Sequence, residues 1–294
     1  MEKKLKKLPL ILLLFAAILL ATCGPAATPV PTPTEVPPTT TMPPATDTAI
    51  PPTATPAPRT LTVFAAASLT GSFGDIGKAF EAANPGVTVT FNFAGTQALV
   101  TQLTQGAKAD VFASANHTYM DNMVTANLVA AGYKDFVTNV LEVILPANNP
   151  ANVQTLQDLA KPGLKLVLED KSVPAGTYTL QILANMSKDP TYGSNFSTKV
   201  LANVVSNETD VKQVVAKVQL GEADAGIVYI TDAIAAPTLK TIVIPTNYNV
   251  VAKYPIATLT NAPQPDLAAA FVAYVLSPDG QAIMKKWGFT PVTP

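Results

Sequence analysis

The sequence predicts an α/β protein of two lobes, each a mostly parallel sheet flanked by helices. Short β-branched and aromatic runs alternate with segments of helical period, which implies parallel strands with helices on both faces. The alternation comes in two sets, divided near Pro146. About 235 residues, from Thr60 to Pro294, carry it, a length more usual for two small domains than for one.

In the first set, Leu61 to Ala66 reads as a buried strand, and Phe73, Ile76 and Phe80 then recur at helical spacing until Asn84-Pro85-Gly86 stops the helix. Val87 to Phe93 alternates apolar and polar residues as a second strand. Gly95-Thr96 opens a helix with Leu99 and Leu103 on one face. Ala109 to Ala113 is a third strand, and the helix after it runs from His117 to Val129. In the second set, Lys165 to Glu169 is a strand and Ala175 to Met186 a helix. Val211, Val214, Val215 and Val218 mark one side of a helix from Asp210 to Leu220. Gly226 to Tyr229 is a strand, Thr231-Asp232 starts a short helix, and Asp266 to Trp287 is helical again.

The segment before Thr60 has a different character. Lys3, Lys4, Lys6 and Lys7 precede an apolar run from Leu10 to Ala21. That run is shorter than the ~20 apolar residues a membrane span needs, and a basic start with a short apolar stretch is the pattern of an export signal. It ends in Leu20-Ala21-Thr22-Cys23-Gly24, and Cys23 is the only cysteine in the chain. A lone thiol makes no internal disulfide. Its position resembles the lipid-modified cysteine of bacterial lipoproteins, with Thr22 where those signals usually carry Gly, Ala or Ser. Residues 1–23 are thus expected to be a lipoprotein signal peptide. Residues 24–59, nearly all Pro, Thr and Ala, bury too little apolar surface to offset chain entropy and read as a disordered spacer.

Composition narrows the function classes. Lys and Arg number 19 against 20 Asp and Glu, so there is no basic footprint for nucleic acid. One histidine, His117, and one cysteine leave the usual acid–base, nucleophilic and transition-metal constellations without members. No cofactor is expected. What the chain does offer is a set of similar loops at strand ends: Ala67-Ser68-Leu69-Thr70, Ala94-Gly95-Thr96-Gln97, Val173-Pro174-Ala175-Gly176-Thr177, Thr209-Asp210-Val211 and Val228-Tyr229-Ile230-Thr231. None contains Lys or Arg. They supply hydroxyls, backbone amides and helix N-termini, which hold an anion without a cationic side chain. Such a cage of donors suits a tetrahedral dianion that carries no proton, and suits phosphate less. Taken singly, Ser68 and Thr96 also fit the commoner role of N-caps, Tyr229 that of a core aromatic, and Asp210 is assigned to capping.

The strings themselves resemble the molybdate-binding proteins of ABC transporters. Val63 to Thr70 is similar to the family's opening strand and ligand loop, Phe93 to Leu99 to its second loop, and Ala109 to Ala115 to the strand after it. Val173 to Tyr178 resembles a third loop, Gly221 to Ala233 a fourth region, and Ser277 to Phe289 the closing helix. The resemblance runs in order from Leu61 to Phe289. It implies a type II periplasmic binding protein fold, with Val140 to Pro146 and Val251 to Leu259 as crossover strands. Residues 60–139 and 251–294 would then form one lobe and residues 140–250 the other. It also implies an oxyanion, molybdate or tungstate, held through its oxygens by Ser68, Thr96, Ala175, Val211 and Tyr229, with no metal ligation. The second loop departs from the family, offering Gly95-Thr96-Gln97 in place of consecutive serines. The implied partners are an ABC permease and its ATPase, with a monomer tethered to the outer face of the cytoplasmic membrane. Sulfate is the nearest alternative ligand. A lipid-anchored hydrolase using Ser68 and His117 lacks a Gly-x-Ser-x-Gly elbow, and a transcription regulator's effector domain is inconsistent with an export signal.

Overall fold

The computed structural model describes residues 57–292. The export signal, Cys23 and residues 24–56 of the expected spacer fall outside the described residues.

The described chain opens with β1 (Arg59–Ala66), a 3-10 turn at Ala67–Leu69 and α1 (Thr70–Ala83). Then come β2 (Val87–Ala94), α2 (Thr96–Thr104), β3 (Val111–Ala113), α3 (His117–Thr125) and β4 (Lys134–Asn139). A second run holds β5 (Leu141–Leu145), β6 (Leu166–Glu169), α4 (Pro174–Met186), α5 (Phe196–Leu201) and β7 (Val204–Glu208). It continues through α6 (Val211–Gln219), β8 (Ala225–Tyr229), α7 (Ile230–Ile234) and β9 (Lys240–Val243). The chain closes with β10 (Ala252–Thr258), α8 (Pro265–Leu276), α9 (Pro278–Lys286) and β11 (Thr290–Pro291).

These strands form two sheets, ordered β11-β4-β10-β3-β1-β2 and β7-β6-β8-β5-β9. Strand–helix alternation predicts the parallel part: β1 lies between β2 and β3, and β6 between β7 and β8, all parallel. The remaining pairings are antiparallel, β10 with β3 and β4, β5 with β8 and β9, and β11 with β4. Both sheets are therefore mixed. The antiparallel strands sit where the chain changes sheets: Val140 alone separates β4 from β5, and residues 244–251 lead from β9 back to β10. The stretches expected to cross, Val140 to Pro146 and Val251 to Leu259, lie almost wholly within one sheet each, as β5 and β10.

Local sequence accounts for the packing. Leu61, Val63 and Ala65 of β1 are fully buried, and α1 lays Phe73, Ile76 and Phe80 against the same core. Phe271 of α8 meets Phe73 and Phe80 edge-on, with centroids 6.0 and 5.3 Å apart, the favoured geometry for aromatic pairs. In the second sheet, α6 buries Val211, Val214, Val215 and Val218. It comes so near β8 that a Cβ on Gly226 would lie 2.7 Å from the Val214 Cγ1. The predicted helix from Asp266 to Trp287 is two helices, bent by 62° at Ser277-Pro278. Proline lacks an N–H and its ring meets the carbonyl one turn back. Ser277 restarts the helix, its Oγ accepting from the Gly280 amide at 3.2 Å.

One buried carboxylate ties β1 to the start of α8. Asp110, 1% exposed, accepts from the Thr62 amide of β1 at 2.7 Å and from the Gln264 amide just before α8 at 2.6 Å. Hydrogen bonds to charged groups contribute about 1.5–3 kcal/mol each, and orphaned donors cost more. Asp110→Ala is therefore expected to lower the unfolding free energy by about 3 kcal/mol. Denaturant titration checks this, and a loss below about 1 kcal/mol contradicts the account.

Candidate functional site

The C-terminal ends of β1 and β2 in one sheet face the ends of β6, β7 and β8 in the other. The space between them is a cavity of about 200 Å³ including its mouth, below the range of pockets that take drug-sized ligands. Ser68, Thr96, Ala175, Val211 and Tyr229 all line it, and no Lys or Arg does.

Each of the five is placed by local structure. Ser68 sits inside the 3-10 turn after β1, and Thr96 is the first residue of α2; neither side chain caps its helix. Ser68 Oγ lies 3.0 Å from the hydroxyl of Tyr254. Thr96 Oγ1 accepts from the Ala115 amide at 3.2 Å. Either hydroxyl of the Ser68–Tyr254 pair can donate to the other; in the arrangement where Tyr254 donates, Ser68, like Thr96, keeps its proton for the cavity. Ala175 follows Pro174 in the first turn of α4, and Val211 is the first residue of α6, where backbone amides have no partner inside the helix. Asp210 is the N-cap of α6, as expected, accepting from the amides of Lys212 and Gln213 at 2.9 and 3.2 Å. That cap leaves the Val211 amide to the cavity. Tyr229 ends β8, 2% exposed, and its hydroxyl makes no hydrogen bond of acceptable geometry among the described residues. A buried orphan hydroxyl demands an explanation. Burial holds the phenols of both Tyr229 and Tyr254 well above the usual tyrosine range, so both remain protonated and able to donate.

The cavity also contains what sequence reasoning missed. Glu169, at the end of β6, lines it with Asp210, so the cage is not made of donors alone. Burial first, and the nearby Asp232 and Asp210 second, push its carboxyl well above the ordinary range. The signal was present in the string Leu166-Val167-Leu168-Glu169, an acidic residue closing an apolar strand next to a candidate loop.

The two sides meet at several points. Gln97 Nε2 donates to the Thr209 carbonyl at 2.8 Å, Tyr178 donates to the Ala115 carbonyl at 3.4 Å, and the Tyr119 hydroxyl donates to the Ser172 carbonyl. The serine-to-glutamine departure in the second loop thus supplies a bridge between the sheets. The hydrolase geometry is not assembled, since Ser68 bonds Tyr254 while His117 Nε2 lies 2.6 Å from Asp135 Oδ1.

The model of the bacterial extracellular solute-binding proteins matches residues 61–290. The chain belongs to that family. Members bind solutes for transport, and this one is a binding protein rather than an enzyme. The molybdate-binding protein ModA of Mycobacterium bovis is 43% identical over 232 residues, covering 79% of this chain and 84% of that protein. The substrate-binding domain of a putative molybdenum ABC transporter from Clostridium difficile superposes with a TM-score of 0.60 at 29% identity, covering 80% of this chain and 99% of that one. The sulfate-binding protein SubI from Mycobacterium tuberculosis superposes with a TM-score of 0.72 at 19% identity, covering 80% and 88%, a likeness of fold alone.

In this solute-binding protein, Gly95 sets how closely the sheets approach. A Cβ there would lie 2.2 Å from the Thr209 carbonyl oxygen, which belongs to the opposite side. The backbone at Gly95 has φ −56° and ψ 138°, a conformation alanine adopts without strain. Gly95→Ala should therefore leave unfolding within about 0.5 kcal/mol of wild type and weaken solute binding by about tenfold or more. Calorimetric titration beside a denaturation curve checks both, and an unchanged affinity contradicts the role given to this approach.

Proposed function

We propose that this solute-binding protein captures molybdate or tungstate outside the cytoplasm and delivers it to an ABC importer. The observation that carries the reading is the set of five candidate donors, drawn from both sheets, around a cavity without Lys or Arg. The Ser68 and Thr96 hydroxyls, the Ala175 and Val211 amides and the Tyr229 hydroxyl hold the anion's oxygens, and no cation or protein-bound metal takes part. The 43% identical relative named for molybdate supports this choice of oxyanion.

Ser68 and Thr96 lie on one side and Ala175, Val211 and Tyr229 on the other, so only the closed cleft presents all five to one anion. The ligand accordingly favours closure, and the closed form is the one an ABC permease and its ATPase receive. The moving bodies are residues 60–139 with 251–294 and residues 140–250, hinged at Val140 and residues 244–251. Cys23 carries a lipid after signal cleavage, and residues 24–59 serve as the tether from the membrane surface to a monomeric binding domain.

Titration with molybdate, tungstate, sulfate and phosphate tests the ligand. Molybdate and tungstate are expected to bind tightly and phosphate weakly; sulfate binding alone transfers the reading to a sulfate receptor. Losing one hydrogen bond to a charged ligand weakens binding by roughly ten- to a hundredfold. Ser68→Ala and Tyr229→Phe should each do so without unfolding the protein. Lys171, exposed beside the third loop, should matter far less. Loss of binding in Lys171→Ala with none in Ser68→Ala would replace the neutral cage with a cationic site.

The anchor is tested separately. Cys23→Ser is expected to move the protein from the membrane fraction to the soluble fraction, or to leave the signal peptide uncleaved. Unchanged membrane association and processing removes the lipid from this account.

A further inference from the structure

Glu169 lines the same cavity as the candidate anion donors and is 5% exposed. Its Oε2 accepts from the Gly176 amide at 3.2 Å, and the Ala175 amide also points to its carboxyl. These are N-terminal amides of α4, and Ala175 is one that the oxyanion reading assigns to the ligand. Glu169 thus occupies, as an internal acceptor, part of the donor set that a bound anion needs.

The surroundings offer this carboxyl no positive charge. Among the described residues, no Lys, Arg or His lies within ion-pair distance of it. Lys212 of α6 is engaged with Asp232 at 2.7 Å. Asp232 on α7 and Asp210 at the start of α6 both act on Glu169 as like charges, and Tyr229 faces it as a neutral phenol. An ionised Glu169 would therefore stand unpaired beside two carboxylates, and a dianion in the cavity would add two further negative charges at contact range. A protonated Glu169 reverses this. Its Oε–H becomes another donor in the lining of a cavity where the Tyr229 hydroxyl has no hydrogen bond of acceptable geometry among the described residues.

We propose that Glu169 is a further member of the anion site, binding as a neutral carboxylic acid that donates to an oxyanion oxygen, so that each captured dianion brings one proton into the cleft. This rests on the oxyanion reading above. The proton comes from solvent and stays on Glu169; no covalent bond of the anion changes. In an open cleft the carboxyl is hydrated and ionised near neutral pH, because its ordinary range is about 4.3. Closure around the anion raises its proton affinity, in the direction burial already imposes. The sign follows: affinity is complete below the open-form value and falls as pH rises above it, by up to about tenfold per pH unit.

Calorimetric titration of the full chain with molybdate, at about pH 6 and about pH 8 in buffers of different ionisation enthalpy, reads this directly. The expected result is an uptake of close to one proton per anion at the higher pH, with affinity lower there than at the lower pH. Glu169→Gln keeps a donor and removes the charge. It should bind without proton uptake, with a flat pH profile, and at the higher pH about tenfold or more tighter than wild type. Wild-type binding with no proton uptake overturns the proposal without recourse to the variant. So does uptake that persists in Glu169→Gln, which would place the proton on Asp210 or Asp232, and so does weaker binding by Glu169→Gln at both pH values. Failure of molybdate to bind at any pH would instead count against the oxyanion reading itself.

Discussion

A dianion taken out of water without a counter-cation needs several donors at once, and that requirement explains most of the architecture. Two like charges at 4 Å cost about 4 kcal/mol at an effective dielectric near 20, and an unpaired desolvated ion costs more. Backbone amides at helix starts offset such a cost because their N–H groups have no intrahelical partner and carry the positive end of the helix dipole. One helix start supplies too few. Here the starts of α4 and α6 come from one sheet, and the 3-10 turn at Ser68 and the start of α2 from the other. The parallel strands exist, in this sense, to point helix starts at a common space.

Close approach of the two sides then limits the side chains at their contact. Gly95 tolerates no Cβ because the Thr209 carbonyl is already there, and a Cβ on Gly176 would lie 2.0 Å from the Asp170 carbonyl oxygen. The second clash is within one side, where β6 turns into α4, so it governs whether the Ala175 amide faces the cavity at all. The first lies between the sides and governs closure. Gln97 fills the remaining room and turns it into a hydrogen bond across the cleft. A loop that resembles a family's serine loop can thus lose a hydroxyl and gain a bridge.

Much of this was legible from sequence because apolar periodicity and turn residues are local signals. β1, α1, β2, α2, α4, α6 and β8 all lie within a few residues of where the pattern puts them, and the five candidate site residues come together around one cavity. The elements left unread have weak local signals. β7 presents Val205 and Asn207 to solvent, and β9 has only Ile242 better than exposed, so neither shows the buried run of a central strand. Helical period continues through Ser277-Pro278, and proline there marks the bend that periodicity alone does not show. The antiparallel strands β5 and β10 are expected only through the family resemblance, and their direction is a property of chain crossing, which no window of residues contains.

Glu169 shows why the chemistry of the site was read less completely than its geometry. A strand-end glutamate usually reaches solvent, and this one is buried where the two sides meet over the cavity. The fold tolerates it because the Gly176 amide donates to it, as does the Ala175 amide, and because a proton can neutralise a carboxyl with no cation at ion-pair distance among the described residues. Asp232, also buried, has its carboxyl pushed up by burial as well, but there an ion pair with Lys212 at 2.7 Å opposes the shift. The difference follows from position. Lys212 lies one residue into α6, beyond Val211, so its charge serves Asp232 on α7 and does not line the cavity. A site that excludes cations from its lining must leave its own buried carboxyl to protons and amides, the same groups that the proposed reading gives to the ligand.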